Sequence, residues 1–212
     1  LPLQLNECSY INLQDHIMAK TAKFDRQEVI NKATNLYWKK GFHATSMRNL
    51  QDEIDMRPGS IYSAFNSKEG LFKEVLRNYT NIGLTQIEAL RNVLDTPIEV
   101  LKAFVKAQVI DTQTNAPNGV CMLAKTIGEL TSENQELIDV TKDCLNQILL
   151  EFTTLIKEAQ AQGIIDSSKD AEELASYVQI QITGLRTFAK VNNNEALLHR
   201  KIDDIFNHYP FS

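Results

Sequence analysis

From Asp25 onward, apolar residues recur at three- and four-residue intervals, and no stretch alternates strictly between apolar and polar. That period belongs to helices that bury one face, so the pattern predicts an all-α fold of about nine helices. Asp25 and Glu28 have capping-box spacing ahead of Val29, Ile30, Ala33, Leu36 and Tyr37, which places a first helix at about Arg26 to Lys40. Gly41 follows two lysines, as suits a helix C-terminus. Thr45 or Ser46 caps a second, short helix through about Glu53. After the turn Ile54-Asp55-Met56, Pro58 opens a third helix that ends near Phe65. Helices this short do not persist alone. Leu50, Met56, Ile61 and Phe65 are the contacts expected to seat them on their neighbours.

The rest of the chain reads as longer helices. Ser67-Lys68-Glu69-Gly70 opens one from Lys68 to about Leu94, with Phe72, Val75, Leu76, Tyr79, Ile82, Ile87, Leu90 and Leu94 inside. Thr96-Pro97 caps another, to about Gln113, and the Thr114–Gly119 loop breaks the chain. A short helix is predicted over Val120 to Glu129. Ser132 and Gln135 introduce the next, with Leu137, Thr141, Cys144, Leu145, Ile148, Phe152, Leu155 and Ile156 on one face and a stop at Gly163. The segment from Asp166 to Asp170 leads into a helix through about Val191, and a last helix spans about Glu195 to His208.

Charge changes this picture in one respect. The net charge is −5 over 212 residues, which by itself argues against a nucleic-acid partner. Residues 18–66, however, carry eight Lys and Arg against five Asp and Glu, and residues 67–212 carry fourteen against twenty. A basic head on an acidic body is the distribution expected when only one end meets phosphate. Cys8, Cys121 and Cys144 form neither a CxxC pair nor a cluster with histidine, so no disulfide framework or metal site is expected. A reducing cytoplasm is the matching compartment. No stretch approaches the ~18 consecutive apolar residues of a membrane span. Residues 1–17 lack the basic and apolar regions of a signal peptide, and Met18 reads as a start, which leaves 1–17 as a leading extension.

The chemistry gathers between Arg57 and Lys68. In a helix-turn-helix the second helix enters the DNA major groove with its first residues at base edges, while the first helix crosses the backbone. Arg57 occupies a cap position where Ser or Asp would serve the helix better, a local cost that makes sense beside an anion or a guanine edge. Gly59 permits close backbone approach. Ser60, Tyr62 and Ser63 supply hydroxyls, and Lys68 stands where free amides suit phosphate.

The run Gly59-Ser60-Ile61-Tyr62, Phe65, Ser67-Lys68-Glu69 and Leu71-Phe72, preceded by Gly41-Phe42 and Thr45-Ser46, resembles the signature of TetR/AcrR-type transcriptional regulators. The likeness is dense over about Arg26–Phe72 and weaker beyond, where Gly163, Ile165, Asp166 and Thr183-Gly184-Leu185 resemble segments of the ligand domain and dimer helix. It implies a helix-turn-helix DNA-binding domain at 18–66 and an effector-binding and dimerisation domain at 67–212. It further implies a homodimer that leaves a palindromic operator when a small-molecule effector binds. Carried over by position, Thr45, Arg57, Pro58, Gly59, Tyr62, Ser63 and Lys68 fall on DNA-contacting sites, with Arg48 and Ser60 added. Two departures stand out: Ile54-Asp55 replaces the usual Ala-Gly in the turn, and Pro58 replaces a polar or basic residue.

For the effector pocket the candidates are Phe104, Gln108, Cys121, Phe152 and Tyr177, with plain core packing as the alternative. For a four-helix interface between two copies, placed where the resemblance implies it, they are Tyr177, Val178, Ile182 and Leu185 with Leu198, Ile202, Ile205 and Phe206. Cys121 and Cys144 also admit a redox- or electrophile-sensing regulator, against the simpler reading of buried thiols. No nucleophile–base pair or phosphate loop supports an enzyme, and nothing calls for a cofactor. A helical protein-interaction module would lack the salt-dependent DNA affinity that the first reading requires.

Overall fold

A computed structural model describes residues 24–192 and 194–211, so the leading segment 1–17 lies outside the described residues. Helix α1 (Arg26–Lys40) begins where the Asp25 carboxylate accepts from the amides of Gln27 and Glu28, and it ends at Gly41, whose φ is +93°. Helix α2 (Met47–Ile54) is capped by Ser46, whose hydroxyl and backbone exchange hydrogen bonds with Asn49. Helix α3 (Pro58–Phe65) follows a turn in which Asp55 takes the left-handed conformation at φ 52° and ψ 45°. Aspartate is one of the few non-glycine residues that visits that region, so Asp55 can take the conformation that glycine usually supplies at such a turn.

Helix α4 (Lys68–Arg91) is capped by Ser67 and stops short of the expected Leu94. Gly70 in its first turn has a packing role: a Cβ there would overlap the carbonyl oxygen of Phe65, where α3 runs into α4. Helix α5 starts at Pro97 with a Thr96–Glu99 capping box. It is α-helical over Pro97–Lys106, winds through a π turn at Ala107–Asp111, and ends with Thr112–Asn115. The sequence gives no sign of the π turn. It is held in part by the Thr112 hydroxyl, which donates to the carbonyl of Gln108 at 2.5 Å.

Helix α6 (Met122–Glu129) begins two residues later than expected, and a 3-10 turn at Ser132–Asn134 leads without side-chain capping into α7 (Gln135–Ala161). Helix α8 (Ala171–Ala189) is capped by Asp170, and α9 (Glu195–Asn207) by Asn194. The described residues therefore form nine helices. Helix α4 packs along α1 on one side and α7 on the other, and α8 lies against α7.

Two buried clusters result. The first joins α1, α2 and α3 to the start of α4 and to Cys121, Met122, Leu123, Leu130, Leu137 and Cys144. The second joins the far end of α4 to α5, the second half of α7, α8 and α9. The core of the head thus runs on into α6 and the beginning of α7.

Candidate nucleic-acid interface and ligand cavity

Pro58 starts α3, and the Arg57 side chain makes no capping bond, so nothing from the cap residue's side chain covers the beginning of that helix. Ile61 and Phe65 are buried beneath it. Arg57, Pro58, Gly59, Ser60 and Ser63 are exposed, Tyr62 is 49% exposed, and Arg48 of α2 is also exposed. A Cβ added at Gly59 would meet no atom within 4 Å. The face is small, open and lightly built. It leaves the backbone as accessible to a partner as the side chains.

Two of the expected contact residues are engaged elsewhere. Thr45 is completely buried, and its hydroxyl donates to the carbonyl of Gly41 at 2.6 Å, which corrects the expectation that its side chain faces outward. Lys68 is half-buried. Its Nζ donates to the carbonyl of Phe42 at 2.7 Å and stands 4.2 Å above the Phe42 ring, and burial lowers its pKa. These two residues set the α1–α2 turn against α4. That turn is also gripped from the body: the Glu129 carboxylate accepts from the amides of Phe42 (3.1 Å) and His43 (2.6 Å). Gly41 makes this approach possible, because a Cβ there would overlap that carboxylate. Lys125, one turn earlier on α6, donates to the carbonyls of Trp38 and Lys39 at the end of α1.

Behind the head lies a cavity of about 310 Å³. Phe104, Gln108, Cys121 and Phe152 come together in its wall, with Phe104 and Phe152 edge to face at 5.7 Å. Tyr177 stands elsewhere, its ring 6.4 Å from that of Phe211, which in turn packs on Phe206. Further lining comes from Tyr79, Gly83 and Gln86 of α4, Ile148 of α7 and Ile182 of α8. Asn35 and Trp38 of α1 also line it, so the head itself forms part of the wall.

The residue that sequence reasoning missed is Arg186. It is 1% exposed and lines the cavity. Nε donates to the carbonyl of Gly119 at 2.8 Å, and Nη1 donates to Gln108 at 2.9 Å and to the Tyr79 hydroxyl at 3.3 Å. Its signal is present in the sequence. Ala175, Val178, Ile182, Arg186 and Ala189 fall on one helical face, and an arginine in such a stripe is out of place.

The interface candidates also need correcting. Val178, Ile182, Leu198, Ile202 and Ile205 are buried within the chain's own second core, and Tyr177, Leu185 and Phe206 pack half-buried against it. Helical spacing identified the apolar face and the family resemblance gave it to a second copy, whereas within the chain α5 and α7 already cover it. The exposed apolar residues of this region are Ile180 (66%), Phe188 (40%) and Val191 (84%).

Nothing in the geometry favours thiol sensing. Cys144 is buried and its thiol pKa is raised by that burial, away from thiolate. Cys121 is buried and accepts a long hydrogen bond from Tyr79 at 3.7 Å. Among the described residues no helix is long and apolar enough to cross a membrane.

A three-helix head whose last helix is exposed, carried on a helical body, is the build of a DNA-binding regulator of transcription. Residues 29–75 match the family described as bacterial regulatory proteins, tetR family, and residues 97–205 match the tetracyclin repressor-like C-terminal domain. The chain belongs to the TetR family. It is 25% identical over 169 residues to the transcriptional repressor ComR of Escherichia coli K12, covering 79% of this chain and 80% of that one. It is 23% identical over 186 residues to the repressor DhaR of Mycobacterium sp. GP1, covering 85% and 90%. Among solved structures it resembles a cysteine mutant of the TetR-family regulator CifR complexed with 26-bp operator DNA, with TM-score 0.78, 24% identity, and 89% and 98% of the two chains covered. It also resembles the reduced form of Escherichia coli NemR, with TM-score 0.72, 16% identity, and 86% and 95% covered. At these identities the structures speak for the fold.

Proposed function

We propose that this protein is a homodimeric repressor that grips a palindromic operator through two copies of α3 and lets go when a small molecule fills the cavity. The observation that carries this reading is the cavity wall, in which Asn35 and Trp38 of α1 stand beside residues of α4, α5, α7 and α8. A guest there touches the head directly. It shifts the equilibrium only insofar as it binds the DNA-free arrangement more tightly than the DNA-bound one.

Arg57, Gly59, Ser60, Tyr62 and Ser63 are the contacts we assign to DNA, with Arg48 on the backbone side. Pairing follows from the small reach of one α3, since two half-sites about one helical turn apart, ~34–36 Å, double the readout. The surface we assign to pairing is the outer face of α8. Ile180, Gly184, Phe188 and Val191 fall there at helical spacing and are exposed. ComR and DhaR are repressors and CifR is bound to operator DNA, which supports the DNA-binding part of this reading.

The test is gel retardation on DNA flanking the protein's own coding region, across a salt series. Affinity is expected to fall steeply with salt, because phosphate contacts release counterions. Arg57→Ala is expected to weaken binding by about tenfold or more, in the ~1–3 kcal/mol range of a base contact. Affinity that is flat with salt and unmoved by Arg57→Ala and Tyr62→Phe would overturn the reading.

A further inference from the structure

We infer that the cavity takes a small organic monoanion, a carboxylate on an apolar body of about aromatic size, and that Arg186 is its counter-charge. This rests on the reading of the cavity as an effector site and names the chemical class of the effector. Three observations carry it.

The first is an uncompensated charge. Arg186 is 1% exposed, and no carboxylate among the described residues pairs with it. Burying a guanidinium without a counter-ion is strongly unfavourable, so native chains rarely do it without cause. Its neutral partners, Gly119, Gln108 and Tyr79, solvate the charge without cancelling it.

The second is an unused donor. Nε and Nη1 are fully engaged, whereas Nη2 is buried with no hydrogen-bond partner. A guanidinium that served only as a strut between α8, α5 and the 116–121 loop needs the first two nitrogens and gains nothing from a buried, idle third. Nη2 offers two N–H donors on a side chain that lines the cavity. The group is also held in place beforehand: Gln108 accepts from Nη1 and donates from its own amide to Gln86 at 2.9 Å, which fixes the fork from α4 and α5 at once. Fixed donors are what a charged ligand group needs in order to bind without paying for reorganisation.

The third is the shape and charge of the remaining wall. Trp38, Phe104, Ile148, Phe152 and Ile182 make most of it apolar, and about 310 Å³ is at the small end of ligand cavities, ~300–1,000 Å³. Besides Arg186 the only charged side chain in the wall is Asp111, which is exposed. One free guanidinium nitrogen matches one carboxylate. A phosphate dianion would bring a second charge that nothing in the wall balances, and Asp111 would repel it.

Calorimetry on the full-length protein tests this with benzoate, 3-phenylpropionate and hexanoate, each beside its neutral primary amide. At least one acid is expected to bind, with its amide tenfold or more weaker. In Arg186→Met the acid is expected to lose that advantage while the amide holds or improves, and Arg186→Lys is expected to fall between. The inference is overturned if no acid binds, if amides match acids on the wild type, or if Arg186→Met keeps the preference. The acid-against-amide comparison on the wild type decides the matter even if the variants fold poorly. Operator retardation in parallel separates the two claims. An acid that binds selectively yet leaves the operator occupied sinks the release reading alone. Release by neutral compounds, undiminished in Arg186→Met, sinks the anion inference alone.

Discussion

Thr45 and Tyr62 show how far two residues of one motif can differ in role. Both sit in the segment that resembles the DNA-reading signature, yet Thr45 is sealed inside and Tyr62 is half in solvent. Thr45→Val keeps the shape and removes the hydroxyl bonded to Gly41, leaving a buried carbonyl short of a donor. The expected loss is about 1–3 kcal/mol of stability, read as a lower Tm, with operator affinity of the folded protein within about threefold of wild type. If affinity falls tenfold while Tm holds, Thr45 reaches DNA after all. Spacing placed Thr45 in the motif, but a position in a motif does not say which way a hydroxyl points. That is decided by the carbonyl that the preceding helix leaves open. The same reasoning applies to Lys68, whose ammonium goes first to the Phe42 carbonyl.

At the scale of elements, α6 is the piece whose ends matter. Cys121 and Leu123, at its beginning, line the cavity, and Glu129, at its end, holds the amides of Phe42 and His43. Two helical turns therefore connect the cavity and the head. Glu129→Ala is expected to leave unliganded operator affinity within about fivefold and carboxylate binding unchanged. The drop in operator affinity on saturating ligand, ~5–150-fold in typical allosteric coupling, should shrink severalfold, with the direct contacts of Asn35 and Trp38 carrying the remainder. Operator titrations with and without ligand measure it, and an undiminished drop would show that the signal travels another way. The helices themselves were legible, because caps at Asp25, Ser46, Ser67, Thr96 and Asp170 and the glycines at 41 and 163 are local devices. The π turn in α5 was not. Helical periodicity is nearly blind to one extra residue, and Phe104, Gln108 and Asp111 keep the spacing of a single helical face across it. The Glu129 bridge was equally hidden, since its partners lie 86 and 87 positions away.

For the whole molecule, the proposed pairing needs a face that the chain's own core leaves uncovered, and the distribution of burial points to one. An amphipathic helix in a body of several layers has an inner face already used, so the residues that first look like an interface are the chain's own core. On α8 the inner stripe runs through Leu174, Val178 and Ile182, and the outer one carries Ile180, Phe188 and, just past the helix end, Val191. A charge at Phe188 leaves the inner stripe untouched and opposes an identical charge across a two-fold axis. Phe188→Glu is thus expected to keep the wild-type helical content and Tm measured at low concentration, to sediment as a monomer, and to bind a full operator about a hundredfold more weakly. On a single half-site, where pairing contributes nothing, it should match the wild type. Ile182→Glu provides the contrast: with its side chain 4% exposed, it should unfold the body before any change in assembly can be read. A Phe188→Glu protein that remains a dimer in sedimentation would move the pairing surface off α8.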